Sequence, residues 1–131
     1  MKVLALDYGA ARTGVAISDA TGTLARPLEV VLRAGSEAGL ARIAALAAEH
    51  GADRIVVGLP LTLRGERGEQ VRETERFVTA LERAVSVPVE MYDERFTTGL
   101  ARQSGSSQAP EDARAAAFLL TSYLESAGRS G

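Results

Sequence analysis

The chain of 131 residues has no cysteine and no tryptophan, one histidine and one lysine. Each absence removes a class of chemistry. Without cysteine there are no disulfides, no thiolate metal sites and no sulfur nucleophile. With His50 as the lone imidazole, histidine-rich zinc sites and most serine triads drop out. Three Phe and three Tyr offer little surface on which bases could stack. No apolar run approaches the roughly 20 residues that span a bilayer. Asp7 and Arg12 interrupt the stretch after Lys2 that would otherwise suggest a secretory signal, so the expected location is the cytoplasm.

What is present reads as a globular domain, 46% hydrophobic and 24% charged, with a net charge of −2. The length fits one domain, taken as residues 1–127, with a frayed tail over 128–131. The acidic balance suits a nucleic-acid binder poorly. Yet fourteen of the fifteen basic residues are arginine, whose planar fork matches phosphate better than lysine does. Arg64, Arg67, Arg72 and Arg76 fall close together, as a local basic face or as an ordinary solvated helix and loop.

Hydrophobic periodicity orders the chain. "KVLALD" and "GVAISD" read as two strands joined by a turn of about six residues, and "LARPLEVVL" as a third, with Pro27 near its start, where a missing ladder donor is tolerated. "SEAGLARIAALAAEHG" is a helix capped by Ser36 and closed by Gly51, with Leu40, Ile43, Leu46 and Ala47 on one face and His50 capping its end. "DRIVVGLP" is a short continuous apolar run, consistent with a strand covered on both faces. "EQVRETERFVTALERAVS" is a second helix. "PVEMYDER" is a half-buried strand with Met91 on the core face. "ARQSGSSQAPED" is loop-like, and Pro110 opens a final helix. The order β-β-β-α-β-α-β-α predicts an α/β fold with a mixed five-stranded sheet and helices on its faces. In such sheets sites gather at the carboxyl ends of parallel strands, where Asp7, Gly58 and Asp93 fall.

A carboxylate at the end of an apolar strand needs solvent, hydrogen bonds or a metal. Asp7 either accepts from the amides of its own turn or belongs to a site. Asp93 and Glu94 end another strand, and alternation aims them at opposite faces. Asp112 lies in the first turn of the last helix, where the dipole favours an acid. The small residues Ala115 and Ala116 lie one turn on and would let that helix approach the sheet, bringing Asp112 towards Asp7. Carboxylates without His or Cys describe a hard-cation site that selects Mg²⁺ or Mn²⁺. Two such ions about 4 Å apart suit phosphodiester hydrolysis.

"DYGAARTGVAISD", "GLP", "DERFTT" and "DARAAAFLL" stand in the order and spacing of the YqgF/RuvX family, the Holliday junction resolvase-like proteins, which the chain resembles over nearly its whole length. The resemblance implies a ribonuclease H-like fold. It also implies a metal-dependent endonuclease that matures the 5′ end of precursor 16S rRNA or, by analogy, resolves four-way DNA junctions. Carried onto this chain, the catalytic and metal-binding acids fall on Asp7, on Glu94 in preference to Asp93, and on Asp112. The same resemblance assigns nucleic-acid contacts to Gly9, Arg12, Arg95, Thr97 and Thr98. Gly9, Gly14 and the alanines between them would keep the turn thin enough for a phosphate backbone to reach Asp7. Ordinary roles stand beside these: Arg95 can pair with Asp93, and Thr97 can cap a helix.

The chain departs from the family in one segment. Where members often carry a basic loop before the last helix, "RQSGSSQAPED" has only Arg102, which predicts weak or partner-assisted binding. The partners expected are structured RNA or branched DNA and a ribosome-assembly partner, with the chain a monomer or homodimer. A non-catalytic ribosome-assembly module is the competing reading. "DYGAARTG" also resembles the phosphate loop of actin/hexokinase-like ATPases, which close two such domains around ATP where 131 residues supply one.

Overall fold

The computed structural model describes residues 1–60, 68–94 and 109–130. Its elements are β1 (Val3–Asp7), β2 (Arg12–Ser18), β3 (Ala25–Leu32), α1 (Glu37–Glu49), β4 (Arg54–Leu59), α2 (Glu69–Ala84), β5 (Val89–Asp93) and α3 (Glu111–Ser130). One sheet runs in the order β3-β2-β1-β4-β5. β2 is antiparallel to both β1 and β3, whereas β4 lies parallel to β1 and β5 parallel to β4. The element order and the mixed five-stranded sheet are those expected from the periodicity.

β1 and β4 read as continuous apolar runs because helices cover both faces of the sheet centre. On one face Leu4, Leu6, Ile55 and Val57 pack with Ile43 and Leu46 of α1 and Phe77 and Leu81 of α2. On the other, Val3, Ala5, Ala16 and Val56 meet Ala116, Ala117, Leu120 and Tyr123 of α3. Burying each large side chain of the first cluster is worth about 1.5–3 kcal/mol. The second cluster is built of smaller residues, and the helix above it lies correspondingly close.

Local signals hold where local chemistry decides them. Ser36 Oγ accepts from the Gly39 amide at 3.1 Å to start α1, His50 is the C-cap, and Gly51 follows at φ +64°. Pro27 sits on the edge strand β3, beside the register shift at Val15/Ala16. β2 begins at Arg12, earlier than the apolar run suggests, because Thr13 is fully buried and pairs with Val31. Met91 does not join the core as expected: it is 41% exposed, since β5 forms the sheet edge. Arg72 and Arg76 make ion pairs with Glu69 at 3.7 and 3.2 Å, which is the solvated-helix reading of that stretch. Arg64 and Arg67 lie outside the described residues. Among the described residues no helix is long and apolar enough to cross a membrane.

Candidate active site

The site begins with alternation along β1. Val3 and Ala5 face α3, so Asp7 falls on that face, and Tyr8 crosses to the other. There Tyr8 stacks on Phe77 with ring centroids 4.4 Å apart. Burial pushes its phenol above the usual range, and the Glu73 carboxylate adds to the effect. This stacking anchors the chain immediately after Asp7.

The turn that follows is shaped from inside the protein. The Gly9 amide donates to Thr13 Oγ1 at 3.3 Å, and that hydroxyl donates back to the Gly9 carbonyl at 3.2 Å. A Cβ at Gly9 would stand 2.5 Å from the Arg12 carbonyl oxygen, so the tight turn itself requires glycine there. Gly14, the β2 partner of Asp7, has a different reason to lack a side chain. A Cβ there would overlap the backbone carbonyl of Asp112, because the first turn of α3 rests on β2 at this point. The smallness expected to admit a phosphate backbone thus serves protein packing, and it brings α3 next to Asp7.

Gly58 completes the floor. A Cβ on Gly58 would meet Glu94 Oε1 at 2.5 Å, so the Glu94 side chain lies over the glycine. Asp7 and Glu94 line one cleft of about 460 Å³, together with Glu111, Arg114, Ala115, Phe118 and Leu119 of α3. Asp93, which closes β5, is not among these lining residues. The structure therefore brings Asp7 and Glu94 into one cleft. Asp112 is not among the lining residues, and its Oδ2 is bonded to Arg12 Nε at 2.8 Å. Both partners of that pair are solvent-accessible, so it is worth at most about 1 kcal/mol and is easily exchanged. Arg95, Thr97 and Thr98 lie outside the described residues.

Glu111 and Arg114 are cleft residues that the sequence reading passed over. The signal for Arg114 was a lone cation in the otherwise apolar run "ARAAAFLL", on a helix face that must meet the sheet. Its Nε is buried, with no hydrogen-bond partner among the described residues.

The donor set of the cleft is entirely carboxylate oxygen, which suits a hard divalent cation such as Mg²⁺ or Mn²⁺. Among the described residues no group of three acidic or imidazole side chains is drawn together closely enough to hold a metal ion. Asp7 and Glu94 share the cleft, while Asp112 is engaged by Arg12.

A mixed sheet flanked by helices, with acids on the carboxyl ends of its parallel strands, defines a ribonuclease H-like protein. The same architecture is found in a solved structure described as "T. thermophilus RuvC in complex with Holliday junction substrate". It aligns over 100% of this chain and 96% of its own length at TM-score 0.69 and 18% identity, a likeness of fold. The profile of the RuvX family, described as Holliday junction resolvase, matches residues 1–126. A relative from Chloroflexus aurantiacus named "Putative pre-16S rRNA nuclease" is 44% identical over 94% of this chain and 86% of its own length. One from Chloroflexus aggregans with the same name is 43% identical, over 94% and 92%. The chain belongs to the RuvX family.

Proposed function

We propose that this chain is a Mg²⁺- or Mn²⁺-dependent endonuclease that hydrolyses phosphodiester bonds in structured RNA, at the 5′ end of precursor 16S rRNA. The observation that carries the reading is the shared cleft of Asp7 and Glu94, delivered by two parallel strand ends and floored by Gly58. The names borne by the relatives supply the substrate class. Asp7 and Glu94 would hold the cation, whose chemistry is to neutralise phosphate charge and make water a stronger nucleophile. Arg12 engages Asp112 in the free chain. Exchanging that exposed pair for a substrate phosphate costs little and releases Asp112 to face Asp7 across Gly14. The carboxylates thus orient the scissile bond and take up the proton of the attacking water.

Resolution of four-way DNA is the second reading, favoured by the description of the family. One experiment separates the two. Wild type and Asp7→Asn are incubated with Mn²⁺ and either a labelled precursor 16S rRNA 5′ segment or a labelled four-way DNA junction. RNA cleavage is expected, lowered by roughly 100-fold or more in Asp7→Asn, above what loss of an outer-shell residue costs. Cleavage of DNA alone would move the assignment to a resolvase. Cleavage of neither, with Mn²⁺ bound, would overturn the enzyme reading in favour of a ribosome-assembly binding module.

A further inference from the structure

The cleft holds three acids, Asp7, Glu94 and Glu111, and one cation, Arg114, among its described lining residues. Arg12, the arginine that the turn motif brings forward for a phosphate, already has an anionic partner in Asp112. Arg114 is in the opposite condition. Its Nε is buried without a hydrogen-bond partner among the described residues, although three carboxylates line the same cleft. Among the described residues no ion pair engages its guanidinium. A buried donor is ordinarily satisfied, and one left unmade at a cleft wall marks the place of a group that comes from outside the chain. The donor geometry defines that group: a planar fork of N–H donors fits an oxyanion with two oxygens to offer.

Resting on the nuclease reading, we infer that Arg114 binds a backbone phosphate of the nucleic acid in the cleft, next to the carboxylates of Asp7 and Glu94. Among the described residues Arg114 has no ion pair to break before it takes up a phosphate, and Arg12 does. This gives a chain of net charge −2 a cation inside the site, where repulsion between acids and phosphate is strongest. A helix that rests on β2 at Gly14 holds it there, so the contact is set by the packing of α3.

The test is fluorescence anisotropy with a labelled single-stranded RNA, without divalent ions so that nothing is cleaved, across a salt series. Arg114→Met should bind roughly tenfold more weakly. Its slope of log K against log salt should be shallower by about 0.7, the share of one phosphate contact on a single strand. Arg114→Lys should keep the wild-type slope, because it keeps the charge, and Arg114→Gln gives the same readout as the methionine variant if that variant fails to fold. An unchanged affinity and slope in Arg114→Met, or weaker binding with an unchanged slope, would overturn the assignment while leaving wild-type cleavage intact. Wild type that binds no RNA at any salt would overturn this assignment, whereas the nuclease reading stands or falls on Mn²⁺-dependent cleavage by the wild type.

Discussion

Two aspartates of this chain stand at strand ends on the same hairpin and lead into turns, yet the turns are built in opposite ways. Asp19 follows β2, at the end of the sheet where the Val3 amide donates to Ser18 Oγ. Its carboxylate accepts from the amides of Thr23 at 2.9 Å and Leu24 at 3.2 Å and from the Thr21 hydroxyl at 2.8 Å. These carboxylate bonds all stay within the turn. Asp7 ends β1 at the other end of the hairpin. There the turn is held by Thr13 on Gly9 and by the Arg33 amide on the Ala11 carbonyl at 3.0 Å, and Asp7 lines the cleft with Glu94. The same residue in the same local setting bonds its own turn in one place and lines a cleft in the other. What differs is the neighbour: the first turn of α3 lies over Gly14 beside Asp7, whereas the Asp19 turn meets the first residue of the chain, whose ammonium donates to the Ala20 carbonyl at 3.0 Å.

If the neighbour decides, moving it should have the largest effect. Gly14→Ala puts a Cβ into the backbone of Asp112 and Ala113, which cannot yield as a side-chain end can. We expect a loss of about 1–3 kcal/mol in urea unfolding, the usual cost of overpacking, and loss of cleavage as α3 leaves the cleft. Wild-type stability and cleavage in this variant would show that α3 does not shape the Asp7 turn. Gly58→Ala should act more narrowly. The three atoms nearest its Cβ all belong to the Glu94 side chain, which can swing aside, so stability should change by less than about 1 kcal/mol. The displaced carboxylate should still lower the cleavage rate on the order of 100-fold, the cost of misplacing a group by about 1 Å. Asp19→Asn, by contrast, should leave cleavage at the wild-type rate.

This contrast also marks what the sequence could carry. The strands, the three helices, the Ser36 cap, the Gly51 end and the meander were legible because periodicity and capping are properties of neighbours in sequence. Asp7 was legible as a candidate but equally as a turn acceptor, since Asp19 fits the identical local description and is one. Alternation could not choose between Glu94 and Asp93, because the sheet has a core on both faces and "core side" did not discriminate; the preference for Glu94 rested on the resemblance. Met91 misled for the related reason that edge position depends on sheet order. Gly14 was noticed, but its purpose was not, because α3 arrives from nearly a hundred residues further along the chain. Arg114 drew no attention because no spacing rule connects a helix cation to a strand end.

The smallest effect tests the Asp19 turn alone. The bond from the Thr23 amide, then that from Thr21, pulls the Asp19 carboxyl from 3.8 down to about 2. A lowered carboxyl pKa stabilises the fold fully above about 3.8, and the contribution is lost as pH falls through about 2. Glu29, held low chiefly by the Arg42 hydrogen bond, titrates on the same acid limb, but it does so equally in wild type and in Asp19→Asn. The difference between the two melting curves therefore isolates Asp19. Thermal melts from neutral pH to pH 2 should show Asp19→Asn with the lower Tm at neutral pH and the gap closing between about pH 4 and 2. A gap that stays constant over that range would mean the carboxylate charge does not hold the turn. The two strand-end aspartates would then differ in place but not in how their turns are made.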